Sequence, residues 1–271
     1  MTTQTDGLAE LIANPPVLSE DGKNYEHGGA SYDRVTTVIH KALPPYLTPW
    51  AEGVGREAVL KLYALNGGNL PSDPQEVAEA VKREGWTTDQ EKKAGGLRGA
   101  EIHFAVEAWI KQGIPPDLSD FEPEVRPYAQ TLAQFLVDYE PEFEASEIML
   151  YEPTLGYAGT CDAIGSVTKR PKGARHPEVT GQRLVFDFKT NKNKAVYDQH
   201  YAQLAAYELA LDHHGVKVDG SAVVAIGPHG IPGSPYRFAV NYWDAEDWLP
   251  VIALYHLLQD VRDKNPNKRK K

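Results

Sequence analysis

The sequence predicts an α/β domain with a helical N-terminal elaboration, and three observations carry that expectation. Through Tyr139 the apolar residues recur at helical spacing. After Tyr139 the period changes, and from Ser146 it reads as strands. The stretch from Arg183 to Tyr207, RLVFDFKTNKNKAVYDQHYAQLAAY, then passes from a strand into a helix.

Residues 1–30 are polar, contain Gly and Pro, and read as a loose arm. From Ser31 a capped start leads into a short helix, a break at Pro44 and Pro45, and a second helix ending at Gly67 and Gly68. Ser72 to Glu84 reads as a further helix, with Ser72 as its cap ahead of Asp73, Pro74, Gln75 and Glu76. The helix Gly95 to Gln112 carries Ile102, Phe104, Val106 and Ile110, sets His103 and Glu107 one turn apart, and stops at Pro115 and Pro116. Glu122 to Tyr139 is amphipathic, and Pro127 delays the start of its regular part.

SEIMLYEPTLGYAGTCDAIGSV then predicts two strands with a turn near Pro153 to Gly156. A basic loop with Gly and Pro, Thr168 to Gln182, leads to the central strand, where Leu184, Val185, Phe186 and Phe188 are apolar but Asp187 and Lys189 interrupt the run. Being two apart, those two project from one face. The helix Val196 to His213, the strands SAVVAIG and YRFAVNYW, and a helix from Asp244 to about Arg262 complete the chain. The divisions are an arm at 1–30, a helical elaboration at 31–94, a core at 95–263 and a basic tail at 264–271. No internal repeat is visible.

A hydrophobic content of 41% supports a core and 24% charged residues keep the surface wet. No segment reaches the roughly 20 apolar residues of a membrane helix, and the N-terminus lacks a basic-then-apolar export signal. These features predict an intracellular, cytoplasmic protein with no membrane partner. The lone Cys161 excludes an intrachain disulfide and a thiolate cluster. A net charge of −10 argues against a protein coated with nucleic acid, while leaving room for local basic sites at Lys169, Arg170, Lys172 and Arg175, at Lys192 and Lys194, and at Lys268 to Lys271. Solvated surface is the plain alternative for each of them.

Asp162 and Asp187 interrupt two apolar strands, and adjacent strands would bring their carboxylates together. A strand-end Asp commonly only caps a turn. Two converging carboxylates, however, raise each other's pKa unless a cation satisfies them, and clustered oxygens suit magnesium or manganese. Such an ion polarises a phosphoryl oxygen and activates water. Lys189 could orient that water or balance developing charge; otherwise it is a buried salt bridge to Asp187 or Asp162. His103 is a candidate third ligand, although taken alone it reads more readily as a satisfied core histidine than as a ligand, and without an HExxH pattern the zinc reading of His103 and Glu107 is poor. Gln199, Gln203 and Tyr207 form a stripe at four-residue steps that could touch a nucleic-acid backbone or support Lys189, as could Thr190, Lys192 and Lys194 at the mouth of the strand.

The order of a helix-borne His103, GYAGTCD ending at Asp162, DFKT with Asp187 and Lys189, and a helix with Gln203-x-x-x-Tyr207 resembles the RecB-like branch of the PD-(D/E)XK nucleases, phage-type exonucleases above all. The resemblance covers about Leu97 to Leu211. It implies a mixed central β-sheet flanked by helices, a restriction-endonuclease-like core. It implies that His103, Asp162, Asp187 and the Phe188 carbonyl ligate magnesium or manganese, that Lys189 is the catalytic lysine, and that Gln203 and Tyr207 form the motif after it. Glu147 or, in competition, Glu152 would match a further acidic position.

The implied activity is a DNA exonuclease acting on double- or single-stranded ends in recombination, repair or phage DNA metabolism. A recombination or single-strand-annealing protein is the implied partner, homo-oligomerisation is compatible, and a phage origin would place it in the host cytoplasm. A structure-specific endonuclease or nickase, and an inert nucleic-acid-binding module, are the competing expectations. Three departures stand: Cys161 occupies the place of the family's proline, the loop 168–182 is long, and one cysteine cannot hold an iron–sulfur cluster, so none is expected.

Overall fold

The computed structural model describes residues 5–44, 48–113, 117–230 and 233–264. Along the chain these form α1 (Thr5–Ala13), β1 (Val17–Leu18), β2 (Asn24–His27), β3 (Ala30–Arg34), α2 (Val35–Ala42), α3 (Thr48–Leu65), α4 (Pro74–Arg83) and α5 (Thr88–Gln112). There follow α6 (Arg126–Tyr139), β4 (Pro141–Glu152), β5 (Tyr157–Val167), β6 (Arg183–Thr190), α7 (Asp198–His213), β7 (Gly220–Ile226), β8 (Tyr236–Val240) and α8 (Trp248–Asp263). The fold is α/β, with an eight-stranded mixed sheet flanked by helices and a helical elaboration. Pro45, Pro115, Pro116 and the tail Lys268 to Lys271 lie outside the described residues.

The chain divides into two units, one made of residues up to 44 together with those from 102 onward, the other of residues 45–101. The expected elaboration at 31–94 therefore shifts: residues 31–44 belong with the sheet. The expected loose arm is also corrected, because residues 5–30 supply α1, β1 and β2. In the smaller unit, α3 and α4 bury Ala58, Leu62 and Ala80, and Gly67 and Gly68 end α3 at φ 62° and 87°, a backbone that favours glycine. The cap of α4 is Asp73, not Ser72: its carboxylate accepts the Gln75 N–H at 2.8 Å, and Pro74 opens the helix where no N–H is required.

In the larger unit the sheet runs β1-β2-β3-β5-β6-β7-β8, with β4 also paired to β5. The strand pairs β3–β5 and β6–β7 are parallel, and the other pairs of named strands are antiparallel. One face of the sheet carries α1, α2, α7 and α8 over Cys161, Ile164, Val185 and Val223. The other carries α6 and the end of α5 over Ala163, Phe186, Phe188 and Val224. Val185 and Phe186 thus point to opposite cores, as a strand's period of two requires, and β6 reads as near-continuous apolar sequence because both of its faces are covered.

The arrangement around β5 creates a notch. β4 lies along one edge of β5 for nearly its whole length, from Pro141 opposite Val167 to Glu152 opposite Tyr157. The other edge is shared: β3 takes Tyr157 and Ala158, and β6 takes Ala163 to Ser166. Residues 159–162 sit between those two pairings, where the sheet is open. Asp162 stands at the point where β6 parts from β5.

Candidate metal centre and its lysine

Three elements converge on the notch. His103 comes from α5, Glu147 from β4 and Asp162 from β5. One ligand atom from each lies within 4.8 Å of the others. The His103 Nδ1 is 3.3 Å from Asp162 Oδ1 and 3.9 Å from Glu147 Oε1. Asp162 is buried, whereas His103 and Glu147 are half-buried, so the group opens to solvent on one side.

A local backbone irregularity places Glu147. The pairings Ser146–Ala163 and Ile148–Cys161 put Glu147 directly across from Asp162, yet Glu147 has φ 50°, a left-handed conformation uncommon for a residue with a side chain. Both strands change face there. Cys161 and Ile148 pack in the first core, but Ala163, two residues beyond Cys161, packs in the second. The switch turns both carboxylates of the pair toward His103 instead of into a core. Strain held at one position in this way accompanies functional sites.

Asp187 and Lys189 share a face of β6 as expected, and the Lys189 ammonium donates to Asp187 Oδ1 at 2.6 Å. Asp187 is fully buried, and its Oδ2 has no hydrogen-bond partner among the described residues. It is not one of the three clustered side chains, whereas Glu147, the further acidic position, is. Phe188 contributes its backbone N–H, which donates to Asp162 Oδ2 at 2.6 Å. Its ring packs in the second core.

The charges are strongly interdependent. Burial pushes the Asp187 carboxyl up to about 6, against the neighbouring ammonium, and the Asp162 charge adds to the rise. Asp162 moves the other way: burial opposes ionisation, but His103, Lys189 and the Phe188 N–H together hold it below the usual carboxylate range. His103 is raised, the Asp162 carboxylate outweighing the effect of burial. Burial and then Asp162 raise Glu147. Lys189 is raised because Asp187 and Asp162 outweigh its desolvation.

The chemistry of this donor set fits a hard divalent cation. An octahedral magnesium site has bonds of about 2.1 Å and opposite ligands about 4.2 Å apart, close to the spread of the three ligand atoms. Two carboxylates and an imidazole around one point could hold a divalent cation, and Asp187 Oδ2, without a hydrogen-bond partner among the described residues, is a buried acceptor of the kind an ion or its water satisfies. Glu107, the other half of the zinc alternative, is paired with Lys111 and is not among the three clustered ligands.

The expected stripe on α7 divides. The Gln203 amide donates to the Tyr207 hydroxyl at 2.7 Å, and Tyr207 is buried with its ring against Gly159. This pair therefore backs the notch from the core side. Gln199 is tied to the Leu43 carbonyl at 3.2 Å, a link between α7 and the end of α2 instead of an outward contact. Lys194 is likewise engaged, its Nζ on the Ser234 carbonyl at 2.9 Å. Thr190 ends β6 and is half-buried, and Lys192 is exposed. In the basic loop Lys169 pairs with Glu140 at 3.0 Å, and Arg170, Lys172 and Arg175 are exposed.

Glu152, the competitor of Glu147, has a structural role: it accepts the Leu155 N–H in the β4–β5 turn and pairs with His213 at 3.1 Å. His200 escaped the sequence reading. Burial, then the nearby Lys189 ammonium, lowers it to about 3, and a histidine among polar residues at the start of a helix gives no signal of that. Cys161 is buried and its thiol pushed well up, a packing residue.

No family model matches the chain, and no curated protein matches it. Among solved structures, the crystal structure of SSO0001 aligns with 94% of this chain and 84% of its own at 14% identity and a TM-score of 0.35, values too low to bear on fold or function. No helix among the described residues is long and apolar enough to cross a membrane.

Proposed function

We propose that this protein is a divalent-metal-dependent deoxyribonuclease of the PD-(D/E)XK kind, built on a restriction-endonuclease-like core and acting as an exonuclease on DNA ends. The observation that supports this most is the convergence of His103, Glu147 and Asp162 beside a buried Asp187–Lys189 pair whose second carboxylate oxygen lacks a hydrogen-bond partner among the described residues. His103, Glu147 and Asp162 would hold magnesium or manganese, with Asp187 Oδ2 at its margin. The ion, when bound, supplies Lewis acidity at a phosphoryl oxygen and a water made acidic enough to attack it.

The chain's own residues do the rest. Asp187 fixes the Lys189 ammonium, leaving its other N–H groups to orient a water or offset charge on the phosphate. The Phe188 N–H holds the Asp162 carboxylate in one orientation, as partners behind a ligand do. Gln203 and Tyr207 form the wall behind. Thr190 and Lys192, following Lys189 at the end of β6, would meet backbone phosphates, contacts that carry no base information and predict low sequence specificity. An intracellular setting, and partners from DNA recombination or repair, belong to the same reading.

The test is cleavage of end-labelled linear DNA with magnesium, manganese or chelator. Wild-type protein should degrade linear but not circular DNA only when metal is present, and Asp187→Ala and Lys189→Ala should each lose most of that activity, by roughly 100-fold or more. Cutting of circles would make the enzyme an endonuclease. Metal-independent binding without cleavage would leave an inert module.

A further inference from the structure

We propose that α8 is the contact surface for a second copy of this chain, the two helices crossing antiparallel about a two-fold axis. The helix sends Trp248, Val251, Ile252 and Tyr255 into the core. A helix buried on one side ordinarily carries polar residues on the other. Here the outer side carries Leu249, Pro250, Leu254, Leu257, Leu258 and Val261, all exposed, with Leu257 and Val261 each 58% accessible. Pro250, Leu254, Leu257 and Val261 follow each other at steps of four, three and four residues, the spacing of a coiled-coil seam. A second helix fits such a stripe, and an isologous contact supplies one from the chain itself.

Charge chooses the orientation. The beginning of α8 is acidic, with exposed Asp244, Glu246 and Asp247. Its end carries both signs, Asp260, Arg262, Asp263 and Lys264 all being exposed, and of these Lys264 continues the stripe three residues beyond Val261, as Asp247 precedes Pro250 by three. With Leu254 of one copy against Leu257 of the other, an antiparallel pair sets Pro250 against Val261 and brings Asp247 level with Lys264. A parallel pair would set Asp247 beside Asp247 and Lys264 beside Lys264, and like charges at such positions disfavour pairing. Three turns per copy make a small interface, toward or below about 1,200 Å² in total, so the dimer is expected to depend on protein concentration. This inference is independent of the nuclease reading.

Sedimentation equilibrium of the full chain over a wide concentration range tests it, with circular dichroism to verify folding. Wild-type protein should shift from monomer to dimer. Leu257→Glu, at an exposed position where it leaves the core intact, should remain monomeric at every concentration, and Lys264→Glu should raise the dissociation constant severalfold, an effect that added salt weakens. A wild-type chain that stays monomeric throughout, its stripe then serving a partner of different sequence, overturns the proposal. So does an oligomer that Leu257→Glu leaves unchanged, and a dimer tightened by Lys264→Glu overturns the antiparallel arrangement.

Discussion

At the scale of single residues, the candidate site was legible in the sequence where polar residues broke an apolar pattern. Asp162 and Asp187 interrupt strands and His103 interrupts a helix, and the structure brings His103 and Asp162 within 3.3 Å. Glu147 could not be separated from Glu152, because its placement depends on a left-handed backbone and a change of strand face that no side-chain pattern encodes. Substitution separates the two. Glu147→Gly removes a proposed ligand while giving φ 50° to a residue that tolerates it, so it should weaken manganese binding by at least about tenfold and raise stability by roughly 1 kcal/mol. Glu152→Ala should do the reverse, leaving metal affinity unchanged in a manganese titration and costing about 1–3 kcal/mol in denaturant as the turn loses its buried acceptor.

At the scale of elements, helices and central strands were readable because burial on one or two faces writes a period into the sequence. Caps and close approaches were not. Asp73 and Ser72 are both competent caps by type, and only the dihedrals and the 2.8 Å bond to Gln75 decide between them. Asp73→Ala should accordingly cost about 1 kcal/mol in thermal or denaturant unfolding, with Ser72→Ala nearly neutral. Gly159 makes a related point about contact between elements. A Cβ added there would lie 2.8 Å from the Tyr207 ring of α7 and 3.3 Å from Val35 of α2. Gly159→Ala should therefore cost about 1–3 kcal/mol and reduce the nuclease activity proposed for the notch by displacing Tyr207, a joint loss that separate stability and cleavage assays would register.

At the scale of the whole molecule, the class of fold was readable but its N-terminal edge was not. β2 and β3 bury only Tyr25 and Tyr32 between them, too few apolar residues to show alternation, so the segment resembles a polar arm until its pairing with β5 is seen. The acid response of the fold can be derived from another feature without sequence signature. His200 lies in the first turn of α7, and its Nδ1 accepts the Tyr197 N–H at 3.4 Å, a bond that only the unprotonated nitrogen can make. Burial and the Lys189 charge depress its folded pKa to about 3, against about 6.5 in the unfolded chain. Burial lowers His214 in the same direction. In that window the unfolded state binds more protons than the native one, so stability rises with pH. The contribution is complete above about pH 6.5 and is lost as pH falls toward 3, by at most about 1.4 kcal/mol per unit for His200. Denaturation midpoints measured from pH 7 down to pH 4 should decline, and His200→Gln, which cannot take up that proton but keeps an acceptor for Tyr197, should show a shallower slope. An equal slope in both proteins would move the acid sensitivity elsewhere, His214 being the next group to substitute.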